Sequence, residues 1–180
     1  MSTATHAELC ELGARWLRSK GCRVVLQDPF KAAVWTGEIP DVIGWRDGHS
    51  ILIECKTTRA DFKTDQRKKF RADPEMGMGD ARLYLTPPGL LRANELPEGW
   101  GLLEAQGRRV TIVGDYPRQY VCSFWGEKRK RVDWRPLPFR GNKTCETVML
   151  VSALARVSTI EPVSPDRAPP TACALCACTQ

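Results

Sequence analysis

Two carboxylates and an amine stand at a spacing that suits phosphoryl chemistry. Asp41 follows Pro40 and opens the apolar run Asp41-Val-Ile-Gly-Trp45. Glu54 and Lys56 close the next run, Ser50-Ile-Leu-Ile-Glu54-Cys55-Lys56. Asp47-Gly48 between the runs is a strong hairpin signal. Side chains alternate along a strand, so Glu54 and Lys56 project from one face and Cys55 from the other. The hairpin brings Asp41 near Glu54. Two close carboxylates repel unless a cation or a proton separates them. Mg²⁺, with Mn²⁺ as substitute, prefers such hard oxygen ligands, and the Cys55 backbone carbonyl offers a third. The ion would acidify a bound water and stabilise a pentacoordinate oxyanion. Lys56 would hold or help deprotonate that water and shield phosphate charge. This is equipment for hydrolysing a phosphodiester.

The flanking elements are readable from periodicity and turn residues. Thr5 followed by Glu8 has capping-box spacing, and Leu9, Leu12, Gly13 and Trp16 recur at helical spacing until Gly21. Arg23 to Gln27 reads as a strand. A helix is expected over 60–71, after the Glu54 strand. Its neighbourhood is basic: Arg59, Lys63, Arg67, Lys68, Lys69 and Arg71 outnumber Asp61 and Asp65. Pro74 and Met76-Gly-Met-Gly79 form a loop. Ala81 to Thr86, Gly101 to Glu104 and Arg109 to Val113 read as three more strands, and 142–158 as a further helix.

These residues resemble the PD-(D/E)xK nuclease superfamily. Pro40-Asp41 matches its Pro-Asp and Glu54-Cys55-Lys56 its (Asp/Glu)-x-Lys. More narrowly, the first 105 residues or so are similar to small nuclease-like proteins of phages and prophages. His6-Ala-Glu-Leu9, Arg15-Trp-Leu17, Pro40 to Gly44, Ile53 to Lys56, Arg59-Ala-Asp-Phe62, Gly77-Met-Gly79 and Gly99 to Leu102 carry that likeness. The resemblance implies an α/β fold: a restriction-endonuclease-like α-β-β-β-α-β core, with a mixed central sheet flanked by helices. It also implies metal-dependent cleavage of DNA. Relatives often carry an acidic residue on the first helix. Glu8 and Glu11 are the candidates, and Glu8 borders the buried stripe. Glu8 is then a catalytic and metal-binding residue beside Asp41, Glu54 and Lys56, or simply the capping-box glutamate. A Gln or Lys on the helix after the Lys strand would correspond to Gln66, Lys68 or Lys69.

Composition sets the outer bounds. The chain has 180 residues, 42% hydrophobic and 27% charged, which suits a packed domain and excludes a wholly disordered or fibrous chain. No apolar run reaches the roughly 18 to 20 residues of a membrane span. No signal peptide is evident near the first residue, so a cytoplasmic location is expected and the cysteines are expected to be reduced. Cys173, Cys176 and Cys178 form a Cys-x-x-Cys-x-Cys that wants a fourth ligand for zinc. The domain reading is a nuclease-like core over 1–114, a basic and aromatic C-terminal extension over 115–160, and a disordered tail over 161–180. The net charge of +6 leans toward a polyanion. Lys128, Arg129, Lys130 and Arg131 lie between Trp125 and Trp134, a pattern suited to phosphate contacts and base stacking. With the basic residues from Arg59 to Arg71 they form the expected nucleic-acid surface. DNA is the expected partner, RNA shares the same backbone chemistry, and a dimer would let two sites cut two strands. The alternative function is a catalytically weak DNA-binding or host-factor-blocking protein on the same fold.

Overall fold

In the computed structural model residues 4–46, 48–117, 120–121 and 137–157 are described. The first helix, α1 (His6–Ser19), starts at Thr5, whose hydroxyl accepts from the Glu8 amide while the Glu8 carboxylate returns to the Thr5 amide. Gly21, with φ of +90°, makes the left-handed exit that ends it. Then follow β1 (Val24–Gln27), β2 (Val42–Arg46), β3 (His49–Cys55), α2 (Arg59–Asp65), α3 (Lys69–Ala72), β4 (Ala81–Thr86), β5 (Trp100–Gln106), β6 (Arg109–Val113) and α4 (Lys143–Val157).

The six strands form one sheet in sequence order. β1 pairs with β2 and β2 with β3 antiparallel, β3, β4 and β5 are mutually parallel, and β6 returns antiparallel to β5. The sheet is therefore mixed and flanked by helices, a restriction-endonuclease-like core. α1 covers one face. Leu9, Leu17 and Ala14 pack there on Val42, Ile51, Ile53, Cys55, Leu83 and Leu85, all fully buried. Gly13 lets the helix sit close, since a Cβ there would lie 3.3 Å from Val42 Cγ2. The alternate residues of the same strands, Ile43 and Leu52, point to the other face. There they meet Met78 and, from α4, Cys145 and Met149. Period-two alternation thus divides the strands between two cores.

The helix expected over 60–71 is two helices. Thr58 caps α2 through a bond from the Asp61 amide. The chain then breaks at 66–68, where Lys68 is extended. In a continuous helix six residues turn through about 600°, which would set Asp65 and Arg71 on different faces. The break brings the Arg71 Nε to 2.9 Å from Asp65 Oδ2. The loop through Gly77 and Gly79 is organised by Arg82, fully buried, which donates to the carbonyls of Pro74, Gly77 and Gly79. The Phe139 ring lies 4.1 Å from its guanidinium.

The helix expected over 142–158 runs from Lys143 to Val157. It is tied to the sheet by a polar cluster. Glu146 accepts from Ser50 Oγ at 2.7 Å, the Gly79 amide at 3.0 Å and Trp45 Nε1 at 3.1 Å. Asp80 accepts from the Ser50 and Gly141 amides, and Lys143 bridges Asp80 and Glu146. Of the aromatic and basic extension, Phe139 and Lys143 therefore serve packing and ion pairing. Lys128, Arg129, Lys130, Arg131 and the terminal cysteines lie outside the described residues.

Candidate active site

The site lies where β2 begins and β3 ends. The antiparallel register sets Val42 opposite Ile53, so Asp41 and Glu54 flank neighbouring positions of the hairpin. Asp41 is anchored by the Cys55 amide, which donates to its Oδ2 at 2.7 Å. Glu54, on the face opposite α1, is 2% exposed. Lys56 Nζ lies 3.0 Å from Glu54 Oε2, 3.6 Å from Asp65 Oδ1 and 3.7 Å from Asp41 Oδ2. The structure brings Asp41, Glu54 and Lys56 together.

Glu8 stands apart. Its carboxylate folds back on Thr5 in the helix cap, and those hydrogen bonds hold its pKa below the usual range. The residue that α1 sends to the site is His6, whose Nε2 lies 3.3 Å from Asp41 Oδ1. One further turn in, Cys10 Sγ lies 3.7 Å from the His6 ring.

Three buried groups complete the cluster; the sequence singled out only Arg71, and for phosphate contact, while Asp65 and Glu38 carried no site signal. Asp65, 1% exposed, accepts from the Tyr84 hydroxyl at 2.8 Å and pairs with Lys68 at 2.9 Å. Glu38 accepts from the Met78 amide and pairs with Arg71. Arg71 also reaches Glu54 and Asp65. Arg71 is thus turned inward, where the sequence suggested a phosphate-tracking residue. Arg59 is engaged as well, donating to the Leu90 carbonyl and pairing with Glu95. Lys63, Arg67 and Lys69 are exposed and face solvent.

Electrostatics divide these groups. Burial and the neighbouring Glu54 charge push Asp41 up to about 6, against the opposing pull of Lys56, the Cys55 amide and His6. Burial works against the Lys56 charge, but Glu54, Asp65 and Asp41 together outweigh it, so its pKa rises and the amine stays protonated. For Asp65 burial is likewise outweighed, here by Arg71 and Lys56, and its pKa falls. Burial raises Glu38 despite Arg71.

A metal ion can be tested against this arrangement. Among the described residues no group of three or more His, Cys, Asp and Glu side chains is placed to hold one. The available donors are two carboxylates, Asp41 and Glu54, with the Cys55 carbonyl, all hard oxygens of the kind Mg²⁺ selects. Burial and the neighbouring Glu54 charge disfavour the ionised form of Asp41, and a divalent ion bound there would offset both. Both Glu54 oxygens already meet cations, yet each carboxylate oxygen has lone pairs for a second partner. In donor type and charge, the residues fit a divalent ion.

A family model described as archaeal Holliday junction resolvase (Hjc) matches residues 10–73. That match, to a family of the PD-(D/E)xK superfamily, spans part of the chain only. The matched segment runs from within α1 past α3 and contains Asp41, Glu54, Lys56, Asp65 and Arg71; His6 and Glu8 precede it. A solved structure of the SPO1766 protein of unknown function from Silicibacter pomeroyi is similar in fold, with a TM-score of 0.56 and 25% identity. That match covers 87% of this chain and 90% of the other. No curated protein matches the chain. Among the described residues no helix is long and apolar enough to cross a membrane.

Proposed function

We propose that this chain is a metal-dependent nuclease that hydrolyses phosphodiester bonds in DNA, as an endonuclease. The observation that carries this reading is the convergence of Asp41, Glu54 and Lys56 at the adjoining ends of β2 and β3 within a PD-(D/E)xK core. Asp41, Glu54 and the Cys55 carbonyl would hold Mg²⁺ or Mn²⁺. When bound, the ion supplies a water acidified toward neutral pH and a positive charge for the phosphorane oxygens. Glu54 and Asp65 keep Lys56 protonated, so this side chain acts as a fixed positive charge that positions the water and the scissile phosphate. The same protonation argues against Lys56 as the base. Asp41, held by the Cys55 amide, keeps one carboxylate oxygen directed toward His6 and the site mouth. Exposed Lys63, Arg67 and Lys69 supply phosphate contacts along the approach.

One observation favours a second reading, a DNA-binding protein with weak catalysis. Glu54 has its two oxygens on Lys56 and Arg71, a closed ion-pair arrangement that stands without any metal. Nicking of supercoiled plasmid by wild type and Lys56→Ala, with Mg²⁺, Mn²⁺ or EDTA, separates the two. The nuclease reading expects metal-dependent nicks from wild type alone. A gel shift with no cleavage in any metal refutes it in favour of binding. A four-way junction and a single-stranded RNA run in parallel assign the substrate class.

A further inference from the structure

We propose that Arg71 is a built-in cation standing where a second divalent ion would otherwise sit, so that this site takes one metal ion and not two. The inference rests on the reading of Asp41 and Glu54 as metal ligands. Three carboxylates from three parts of the chain converge on one guanidinium. Arg71 Nη1 lies 2.5 Å from Glu38 Oε1, Nη2 lies 2.8 Å from Glu54 Oε1, and Nε lies 2.9 Å from Asp65 Oδ2. Each of these side chains is 2% exposed or less. Gathering several carboxylate oxygens in a dry pocket is what a hard divalent ion does.

The geometry fixes the guanidinium in that role. Its carbon lies 4.8 Å from the Phe70 ring and 4.8 Å from the Trp100 ring, and Trp100 is itself stacked on Tyr84. Aromatic rings and carboxylates together hold a planar cation that a lysine ammonium could not replace in kind. The Nη2 contact with Glu54 is one of charge, since that nitrogen makes no aligned hydrogen bond. Paired metal ions in phosphoryl transfer stand about 3.5 to 4 Å apart and clamp the attacking and leaving oxygens. A carboxylate shared between them is needed, and Glu54 is the group placed to share. On its Oε1 side the bulk and like charge of the Arg71 guanidinium exclude a second ion, while Oε2, on Lys56, keeps a lone pair for the first.

Stoichiometry tests this directly, with no cleavage measured. Mn²⁺ is titrated into the full chain and free ion is counted by its six-line electron paramagnetic resonance signal. Wild type is expected to bind one ion, and Asp41→Asn to bind it more than about tenfold more weakly. Arg71→Ala, with three carboxylates left facing one another, is expected to bind a second ion and to gain more in melting temperature from Mn²⁺ than wild type does. Arg71→Lys is expected to keep one. Two ions on wild type overturn the role of Arg71 and leave the nuclease reading standing. No ion on wild type overturns both. A folded Arg71→Ala that still binds one ion also overturns it. If that variant does not fold, recovery of its structure on adding Mn²⁺ supports the proposal, and failure to recover overturns the substitution of ion for arginine.

Discussion

Asp41→Asn removes a carboxylate whose ionisation the fold resists. Its pKa stands at about 6, above an ordinary 3.8, because it is buried beside Glu54. The folded chain therefore holds this proton more tightly than the unfolded chain. The stability this confers is complete below about pH 4 and is lost as pH rises through about 6. At pH 7.5 the ionised group costs the metal-free fold up to about 3 kcal/mol. Asn carries no charge and escapes that cost. Its amide oxygen accepts from the Cys55 amide less strongly than a carboxylate does, which returns about 1 kcal/mol. The expected net gain is about 1 to 2 kcal/mol, or roughly 2 to 8 °C in melting temperature for a chain of this size. Calorimetry in EDTA at pH 7.5 and pH 4.5 reads it. The gain should shrink toward zero at pH 4.5, where the wild-type carboxyl is protonated. Millimolar Mg²⁺ should then stabilise wild type and leave the variant unmoved, and the variant should not nick plasmid. An Asp41→Asn protein less stable than wild type at pH 7.5 in EDTA would refute the reasoning, as would a gain that persists unchanged at pH 4.5.

Lys56→Ala is expected to abolish nicking and to cost about 3 kcal/mol in urea unfolding, because Glu54 and Asp65 lose a buried counter-charge. Since Lys56 stays protonated, the pH profile of wild-type cleavage should show no loss of activity from a deprotonating lysine between pH 7 and 10; such a loss with Lys56 as its source contradicts the assigned role. Tyr84→Phe leaves Asp65 without one donor and should cost about 1 to 2 kcal/mol, with cleavage falling less than in Lys56→Ala. Gly79→Ala should be severely destabilising: its φ is +86° and a Cβ would sit 2.6 Å from the Leu52 Cβ, so a cost under about 1 kcal/mol would argue against this loop geometry.

Much of this molecule was legible because its signals are local. The capping box at Thr5 and Glu8, the hairpin through Gly48 and the strand over Ala81–Thr86 each follow from a few adjacent residues. The Asp41, Glu54 and Lys56 trio was legible for the same reason, since one hairpin holds all three. What escaped depends on tertiary placement. His6 looks like any residue of a first helical turn until α1 is laid on the sheet beside Asp41. Glu8 has the residue type expected of a metal ligand, yet a nearer partner, the Thr5 amide, claims it. Arg71 sits in a basic run whose pattern suggests a solvated face. Only the break at 66–68 turns it toward Asp65, and no periodicity marks that break. Glu38 and Asp80 are likewise isolated acids in sequence, and each is explained by a partner more than thirty residues away.

The ties from Glu146 back to Trp45, Ser50 and Gly79 also order events during synthesis. The hairpin that holds Asp41 and Glu54 leaves the ribosome long before the residues that cover its second face. Until Cys145 and Met149 emerge, Ile43, Leu52 and Met78 are covered only in part, by residues such as Phe30, Val34 and Trp100, and Ser50 and Asp80 lack several of their partners. At about 5 to 20 residues per second the wait is on the order of ten seconds. A nascent chain in that interval leaves part of this apolar face uncovered, so the half-made protein, more than the finished one, is exposed to aggregation. Translation speed across the segment before α4 then becomes a determinant of yield. Slow codons there lengthen the exposure, and chains stalled at that point are the ones quality-control proteases should find first.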